Sequence, residues 1–248
     1  MVTATDVSNA ARALAAHFPL STSGSSSGKL YEAWMMLEMG LSLRRKGWTV
    51  AWINPSSSGA STMVFRGSPG SLTPHSNPAP GYLHLSRNRY KLEMHNSLQY
   101  RGWSGALHEV DISILDADVA NRCRANNWRP AGLPCVGLEL KHYTGDLGIG
   151  LTRSMLMATT DLALLWSFRS NEGRVMQWTP TKTYAAMGNL EGSVARILTT
   201  AEKTGGSKVL TDFHGISLAP RVDIDAAYIP GYHGDIDDLC DDIDNMFP

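Results

Sequence analysis

The sequence predicts an α/β chain, with a central mixed β-sheet flanked by helices. Three stretches carry that expectation. His108–Leu115 and Cys135–Tyr143 alternate apolar and polar residues with the period of two expected of pleated strands. Residues 28–47 read as one long helix, closed by Arg44, Arg45, Lys46 and Gly47, which suit a helix C-terminus. Leu162–Phe168 is a continuous apolar run, the pattern of a strand buried on both faces.

The remaining elements follow in order. Thr5–Phe18 is Ala-rich, with Val7, Ala11, Leu14 and Ala15 in a helical stripe, and Ser21–Gly28 is a Ser/Gly linker. In the helix over 28–47, Glu32 lines up with Met35, Met36, Met39 and Leu43. Glu38 falls on the opposite side, near Arg45. A carboxylate on an apolar stripe is costly unless paired or metal-bound, so Glu32 is the functional candidate of the two. Trp48–Asn54 predicts a strand, and Pro55–Gly81, rich in Ser, Gly and Pro, a long surface loop. From Tyr82 to Trp103, Arg87, Arg89, Lys91 and Arg101 stand against one acid, Glu93, and are interleaved with Tyr90 and Tyr100. That composition suits either an exposed hairpin or a nucleic-acid face. Short strands are expected at Leu92–Met94 and Leu98–Tyr100, and a short polar helix or loop at Asp116–Asn127.

Past the Gly-rich turn 145–150, Leu151–Thr160 predicts a helix whose first turn offers backbone N–H groups, Thr152 and Arg153 to a phosphate. Arg174–Thr179 reads as a strand and Lys182–Lys203 as mostly helical. Irregular structure is expected around Lys208–Phe213 and Ile216–Leu218. Gly234–Pro248 spaces Ile236, Leu239, Ile243 and Met246 helically among six aspartates, an amphipathic acidic helix suited to capping the body, contacting a partner or shielding a basic groove.

The chemistry concentrates on the two alternating strands. Val110, Ile112 and Ile114 take one face, and Glu109, Asp111 and Ser113 the other; Glu139 and Lys141 likewise share a face. If the strands are neighbours, two or three carboxylates converge with one ammonium. Carboxylates so packed repel unless a cation is supplied. A divalent ion, Mg²⁺ or Mn²⁺, suits such a set, since Mg²⁺ takes one or two protein carboxylates plus water and substrate phosphate. Glu-x-Lys also occurs on ordinary solvated sheet faces, so the tripeptide gains meaning only from its surroundings.

Those surroundings are specific in order: a helix with an inward Glu32 in Leu-Tyr-Glu-Ala-Trp, strands, Asp111 in His-Glu-Val-Asp-Ile, Glu139 and Lys141 in Leu-Glu-Leu-Lys, a helix, and an apolar strand. Over about residues 28–168 this resembles the core of the P-D-(D/E)-x-K nuclease superfamily, the restriction-endonuclease-like fold. The resemblance implies one domain, with 1–27 as a helix and linker, 169–233 as decoration and 234–248 as a tail. It implies that Asp111 and Glu139 hold one or two divalent ions, that Lys141 positions or activates the attacking water, and that Glu32 assists the metal, with Glu109 as an extra ligand candidate. The reaction would be hydrolysis of a phosphodiester in nucleic acid, DNA foremost, in a restriction or anti-phage setting. The residue before Asp111 is Val110 rather than proline, and some 25 residues separate the motif strands, more than a tight hairpin needs. Two other readings stand beside it: a catalytically silent nucleic-acid-binding or structural subunit, and a different metal hydrolase, whose His-rich ligand set is missing.

Composition is compatible with these readings. The 248 residues carry a net charge of −1, yet the last twenty hold six aspartates and no basic residue, leaving 22 basic and 17 acidic residues in the rest. Cys123, Cys135 and Cys240 form neither a disulfide framework nor a metal-ligand spacing, and residues 1–20 lack a basic start with an apolar core, so a cytoplasmic setting is expected. A homodimer would suit a duplex, which has two strands to cut.

Overall fold

The computed structural model describes residues 2–14, 26–55, 62–73, 79–143, 145–162, 166–169, 175–178, 194–201, 204–214, 216–223 and 233–248. Most of the expected linker, the end of the first helix, parts of the 55–81 loop, residues 163–165 and the start of the helix expected at 182–203 lie outside these residues. The order of elements is α1 (Ala4–Leu14), α2 (Ser27–Arg45), β1 (Thr49–Ile53), β2 (Tyr82–Arg87), β3 (Tyr90–Arg101), β4 (Leu107–Asp116), α3 (Ala117–Asn126), β5 (Val136–Lys141) and α4 (Ile149–Leu162). It continues with β6 (Trp166–Arg169), β7 (Val175–Trp178), β8 (Val194–Thr199), α5 (Gly205–His214), β9 (Ser217–Ala219) and α6 (Gly234–Met246).

The chain is α/β, with a seven-stranded mixed sheet in the order β1-β2-β3-β4-β5-β8-β9. The neighbours from β1 to β5 are antiparallel, whereas β5–β8 and β8–β9 are parallel. Successive residues on β4 and β8 show which helices cover which face, because adjacent side chains in a strand point oppositely. Ile114 and Leu198 pack in the large cluster with α1, α2 and α6, while Leu115 joins a cluster with α3, and Ile197 one with α4.

Helix α2 organises the first face. Ser26 caps it by accepting from the Lys29 N–H at 3.4 Å, and every residue from Tyr31 to Leu43 is buried. An all-round buried helix needs neighbours on all sides, and α1, α6 and the sheet supply them. A Cβ at Gly40 would meet the Leu83 methyl at 2.8 Å, so glycine lets α2 approach β2 that closely. Glu38, on the side of α2 away from the Glu32 stripe, is wholly buried as well.

Several sequence expectations change. The two short strands expected between 92 and 100 are one strand, β3. Residues 62–73 and 79–81 are not a surface loop throughout: Met63, Arg66, Ser71, Leu72 and Ala79 are buried, and Gly70 bridges to Leu98. The helix expected over 182–203 gives way at 194–199 to strand β8, whose partner is β5. The segment around Lys208–Phe213, expected to be irregular, is helix α5. Among the described residues, 166–169 pair with β7 in a two-stranded sheet apart from the central one, rather than as a central strand. The sheet's next strand after β5 is β8, so the central sheet runs past residue 168 to β9.

Helix α6 docks through Ile236, Leu239, Cys240, Ile243 and Phe247, all buried. Four of its six aspartates face basic side chains: Asp237 pairs with Arg45, Asp241 with Lys46, Asp244 with Arg87, and Asp242 with Arg196 at 2.5 Å. The three cysteines are buried and free. Among the described residues, no helix is long and apolar enough to cross a membrane.

Candidate active site

The pairing of β4 with β5 is antiparallel despite α3 lying between them, with Ile112 opposite Leu138 and Ile114 opposite Val136. The ladder stops at Ile112–Leu138. One step further, the Asp111 carboxylate (Oδ2) accepts the Leu140 N–H at 2.7 Å, so the strands part where the polar residues begin. Lys141 Nζ lies 2.5 Å from Glu139 Oε1 and 3.7 Å from Asp111 Oδ2. Leu138 and Leu140 belong to the cluster under α2, which leaves Glu139 and Lys141 on the face lined by α4. The structure thus brings Asp111, Glu139 and Lys141 into one patch.

Glu32 approaches from α2 and stays buried, at 6% exposure. It does not touch Asp111 directly. Its Oε1 accepts from Lys29 at 2.7 Å and its Oε2 from Ser97 Oγ at 2.7 Å. Lys29 Nζ also donates to Ser97 Oγ at 2.6 Å and lies 3.3 Å from Glu109 Oε1. Glu32 and Glu109 therefore join the patch through a second ammonium, Lys29. Sequence reasoning missed Lys29, although its signal was present: an i, i+3 spacing to Glu32 on one helix.

Ser97 was also missed, and its signal is only in the backbone. It sits inside β3 with φ of 47°, a left-handed conformation uncommon for a residue other than glycine. The strand changes faces there. Leu92 and Met94 pack under α2, whereas Leu98 and Tyr100 pack in the α3 cluster. The twist aims the Ser97 hydroxyl at Glu32 and Lys29. Its neighbour Asn96 lies 3.5 Å from Glu32 through Nδ2, accepts from the Arg66 N–H at 3.0 Å and donates to the Arg66 carbonyl at 2.9 Å. Buried Arg66 also contacts His95 Nδ1 at 3.3 Å, and His95 Nε2 lies 2.9 Å from Glu93, which Arg124 holds through both oxygens. The loop expected at the surface is thus the buttress of the site.

The electrostatics follow from crowding and burial. Burial, then the Asp111 charge, pushes the Glu139 carboxyl up to about 7, against the pull of Lys141. Asp111 is raised by burial and partly brought back by Lys141 and the Leu140 N–H. Glu32 is raised by burial and by Asp111, with Lys29 and Ser97 opposing. Burial alone would lower Lys141, but Glu139 and Asp111 outweigh it and hold the ammonium charged. Lys29 behaves alike: burial lowers it, and Glu32 and Glu109 raise it further.

Among the described residues, no group of three or more His, Cys, Asp and Glu side chains is disposed to hold a metal ion by itself. The donor set still fits a hard cation. Two mutually repelling carboxylates, Asp111 and Glu139, are what Mg²⁺ uses when water and substrate complete its shell.

Other expected site residues lie elsewhere. Thr152 is fully buried, and its hydroxyl has no hydrogen-bond partner, so it is not offered to a phosphate. The α4 residues beside Glu139 are Met155, Ala158 and Thr159, about two to three turns past the N-terminus. Arg153 is exposed on that helix, away from this lining. Arg87 is engaged by Asp244 and stands 6.0 Å from the Trp48 ring, while Arg89 packs on Tyr90. Lys91 and Arg101 are exposed, at opposite ends of β3. His108, expected in the core or at its rim, bonds Asp161 at 2.6 Å and ties β4 to α4. The expected split of β4 faces fails at Val110, which joins the α3 cluster while Ile112 and Ile114 pack under α2.

Compared with family models, curated proteins and solved structures, the chain matches none.

Proposed function

We propose that the protein is a divalent-metal-dependent nuclease of the restriction-endonuclease-like class, hydrolysing phosphodiester bonds in nucleic acid, DNA foremost. The observation that carries this reading is the convergence of Asp111, Glu139 and Lys141 where β4 and β5 part, with Glu32 wired to the same patch through Lys29. The order α2, β3, β4, β5, α4, β8, with β5 and β8 parallel, supports the resemblance; β8 takes the place expected of residues 162–168.

Asp111 and Glu139 would hold Mg²⁺ or Mn²⁺, and the ion would polarise the phosphate and acidify a bound water. Lys141, held charged by its two carboxylates, is suited to donate to a water or phosphate oxygen rather than to remove a proton. Glu139 is raised by burial and by repulsion from Asp111, a repulsion that an ion held between the two carboxylates would relieve. Glu32 and Ser97 fix Lys29, which balances the negative charge of Glu109.

The test is incubation of the protein with plasmid, linear duplex, single-stranded DNA and RNA in Mg²⁺ or Mn²⁺, beside Asp111→Ala and Lys141→Ala. The expected result is cleavage by the unmodified chain that both variants lose while keeping their fold by circular dichroism. Cleavage that survives both substitutions, or that no substrate elicits, overturns the proposal. One observation favours a second reading, a silent binding subunit: Lys29 and Lys141 pair with the carboxylates without any metal ion. That reading expects nucleic-acid binding indifferent to Mg²⁺ and no cleavage.

A further inference from the structure

Beyond the carboxylate patch, a cavity of about 600 Å³ opens between α3 and the start of β4. Among the described residues, its lining includes three arginines, Arg101, Arg122 and Arg129, and no acidic side chain. Among the described residues, none of the three is ion-paired; Arg129 Nε donates to Gln99 at 3.2 Å. Trp128 and Leu107, exposed by 46% and 45%, stand at this cavity, and buried Cys123 lies in its wall.

The fold builds this arrangement deliberately in local terms. Helix α3 ends at Asn127 in the left-handed region (φ 54°), and the Trp128 N–H returns to the Cys123 carbonyl at 2.9 Å. Two further bonds, Arg101 N–H to the Pro130 carbonyl and Gly132 N–H to the Arg101 carbonyl, fasten the next residues to the edge of β3. Trp128 and Arg129 are thereby carried on a tethered segment rather than a free loop. The same segment continues to Leu133 and Pro134, which line the small pocket beside Glu109 and Glu139. Leu107 precedes Asp111 by four residues on one strand, roughly 13 Å at the usual rise.

Three guanidiniums around an accessible indole suit a ligand that carries both phosphate and a flat ring. A duplex keeps its bases stacked inside, so only an unpaired nucleotide can offer both. We propose that this cavity binds unpaired nucleotides of a DNA or RNA strand, with the base stacked on Trp128 and phosphates on Arg101, Arg122 and Arg129. The inference rests on the nuclease reading only for the path of the strand: a single-stranded flank would run from the carboxylate patch to this cavity.

The test is fluorescence anisotropy of labelled single-stranded DNA, single-stranded RNA and blunt duplex of one sequence, in EDTA, with polyglutamate as competitor. Trp128→Ala and Arg122→Glu alter exposed side chains, and their melting temperatures report the fold. The expected result is preference for a single strand, about tenfold weaker binding for Trp128→Ala, and a shallower salt dependence for Arg122→Glu. The relative affinities for DNA and RNA identify the source. Binding unchanged in both variants, equal loss on duplex, or competition by polyglutamate as effective as by DNA would overturn the inference. Asp111→Asn separates the two proposals. A chain that never cleaves, yet loses affinity with Trp128→Ala, keeps this site and loses the nuclease. Cleavage that depends on Asp111, with Trp128 variants binding as before, does the reverse.

Discussion

Lys29 is the residue whose removal should speak most clearly. Its ammonium bonds Glu32 and Ser97 and faces Glu109, so Lys29→Met leaves a buried carboxylate without its cation. The expected cost is about 1–3 kcal/mol in urea unfolding, because an orphaned buried acceptor loses its compensation. Mg²⁺ should restore more stability to this variant than to the unmodified chain if the patch takes a cation. Ser97 separates strain from bonding. Ser97→Gly relieves the left-handed backbone but removes the hydroxyl, whereas Ser97→Ala keeps the strain and also removes it. Ser97→Gly is therefore expected to be the more stable of the two, with both losing the tether on Glu32. Thermal melts of the pair give the difference directly.

At the scale of elements, the polar network beneath β3 sets an acid limit on the fold. Burial first, with Arg66 adding to it, lowers the His95 pKa from 6.5 to about 4, although Glu93 pulls the other way. Glu93 itself falls from 4.5 to about 2, since Arg124 and His95 outweigh the cost of burying it. Both folded values lie below the unfolded ones, so both contributions are present above the unfolded pKa and are lost on acidification. The His95 contribution, up to about 3 kcal/mol, should fade from pH 6.5 to 4, and that of Glu93 below pH 4.5. Urea midpoints measured across this range should fall with pH, and His95→Gln should flatten the upper part. Strand β3 was legible only as fragments because the polar run His95-Asn96-Ser97 separates its two apolar pairs, Leu92 with Met94 and Leu98 with Tyr100. Those polar residues stay buried in the strand because Asn96 and Ser97 bond Arg66 and Glu32.

Across the whole molecule, α6 closes the chain onto its beginning. Truncation before Gly234 would strip Ile236, Leu239, Ile243 and Phe247 from the core cluster, at roughly 1.5–3 kcal/mol each. That total rivals the stability of an ordinary domain, so the truncated chain is expected to lose cooperative unfolding by circular dichroism. Neutralising the acidic face is milder. Asp244→Asn frees Arg87 and weakens a partly exposed pair, for which a loss under about 1 kcal/mol is expected. The same change tests the tail as a shield: tighter nucleic-acid binding by Asp244→Asn would mean that α6 masks Arg87, and unchanged binding that it acts as a cap.

The sequence by itself determined the elements that carry a local period. These are the long helix with Glu32 on a core face, the strands bearing Asp111 and Glu139-x-Lys141, and the amphipathic acidic tail. Their periods lie within a few turns or pleats, so residue order suffices. Tertiary structure alone decided what depends on distant pairs. It placed β5 beside β4 across an intervening helix, chose β8 rather than residues 162–168 as the next strand, and buried Arg66 under the site. It also decided which cations are engaged: Arg87 meets an aspartate 157 residues away, while Arg101 lines an open cavity. Charge and burial are pairwise quantities, and no local pattern encodes a partner so far along the chain.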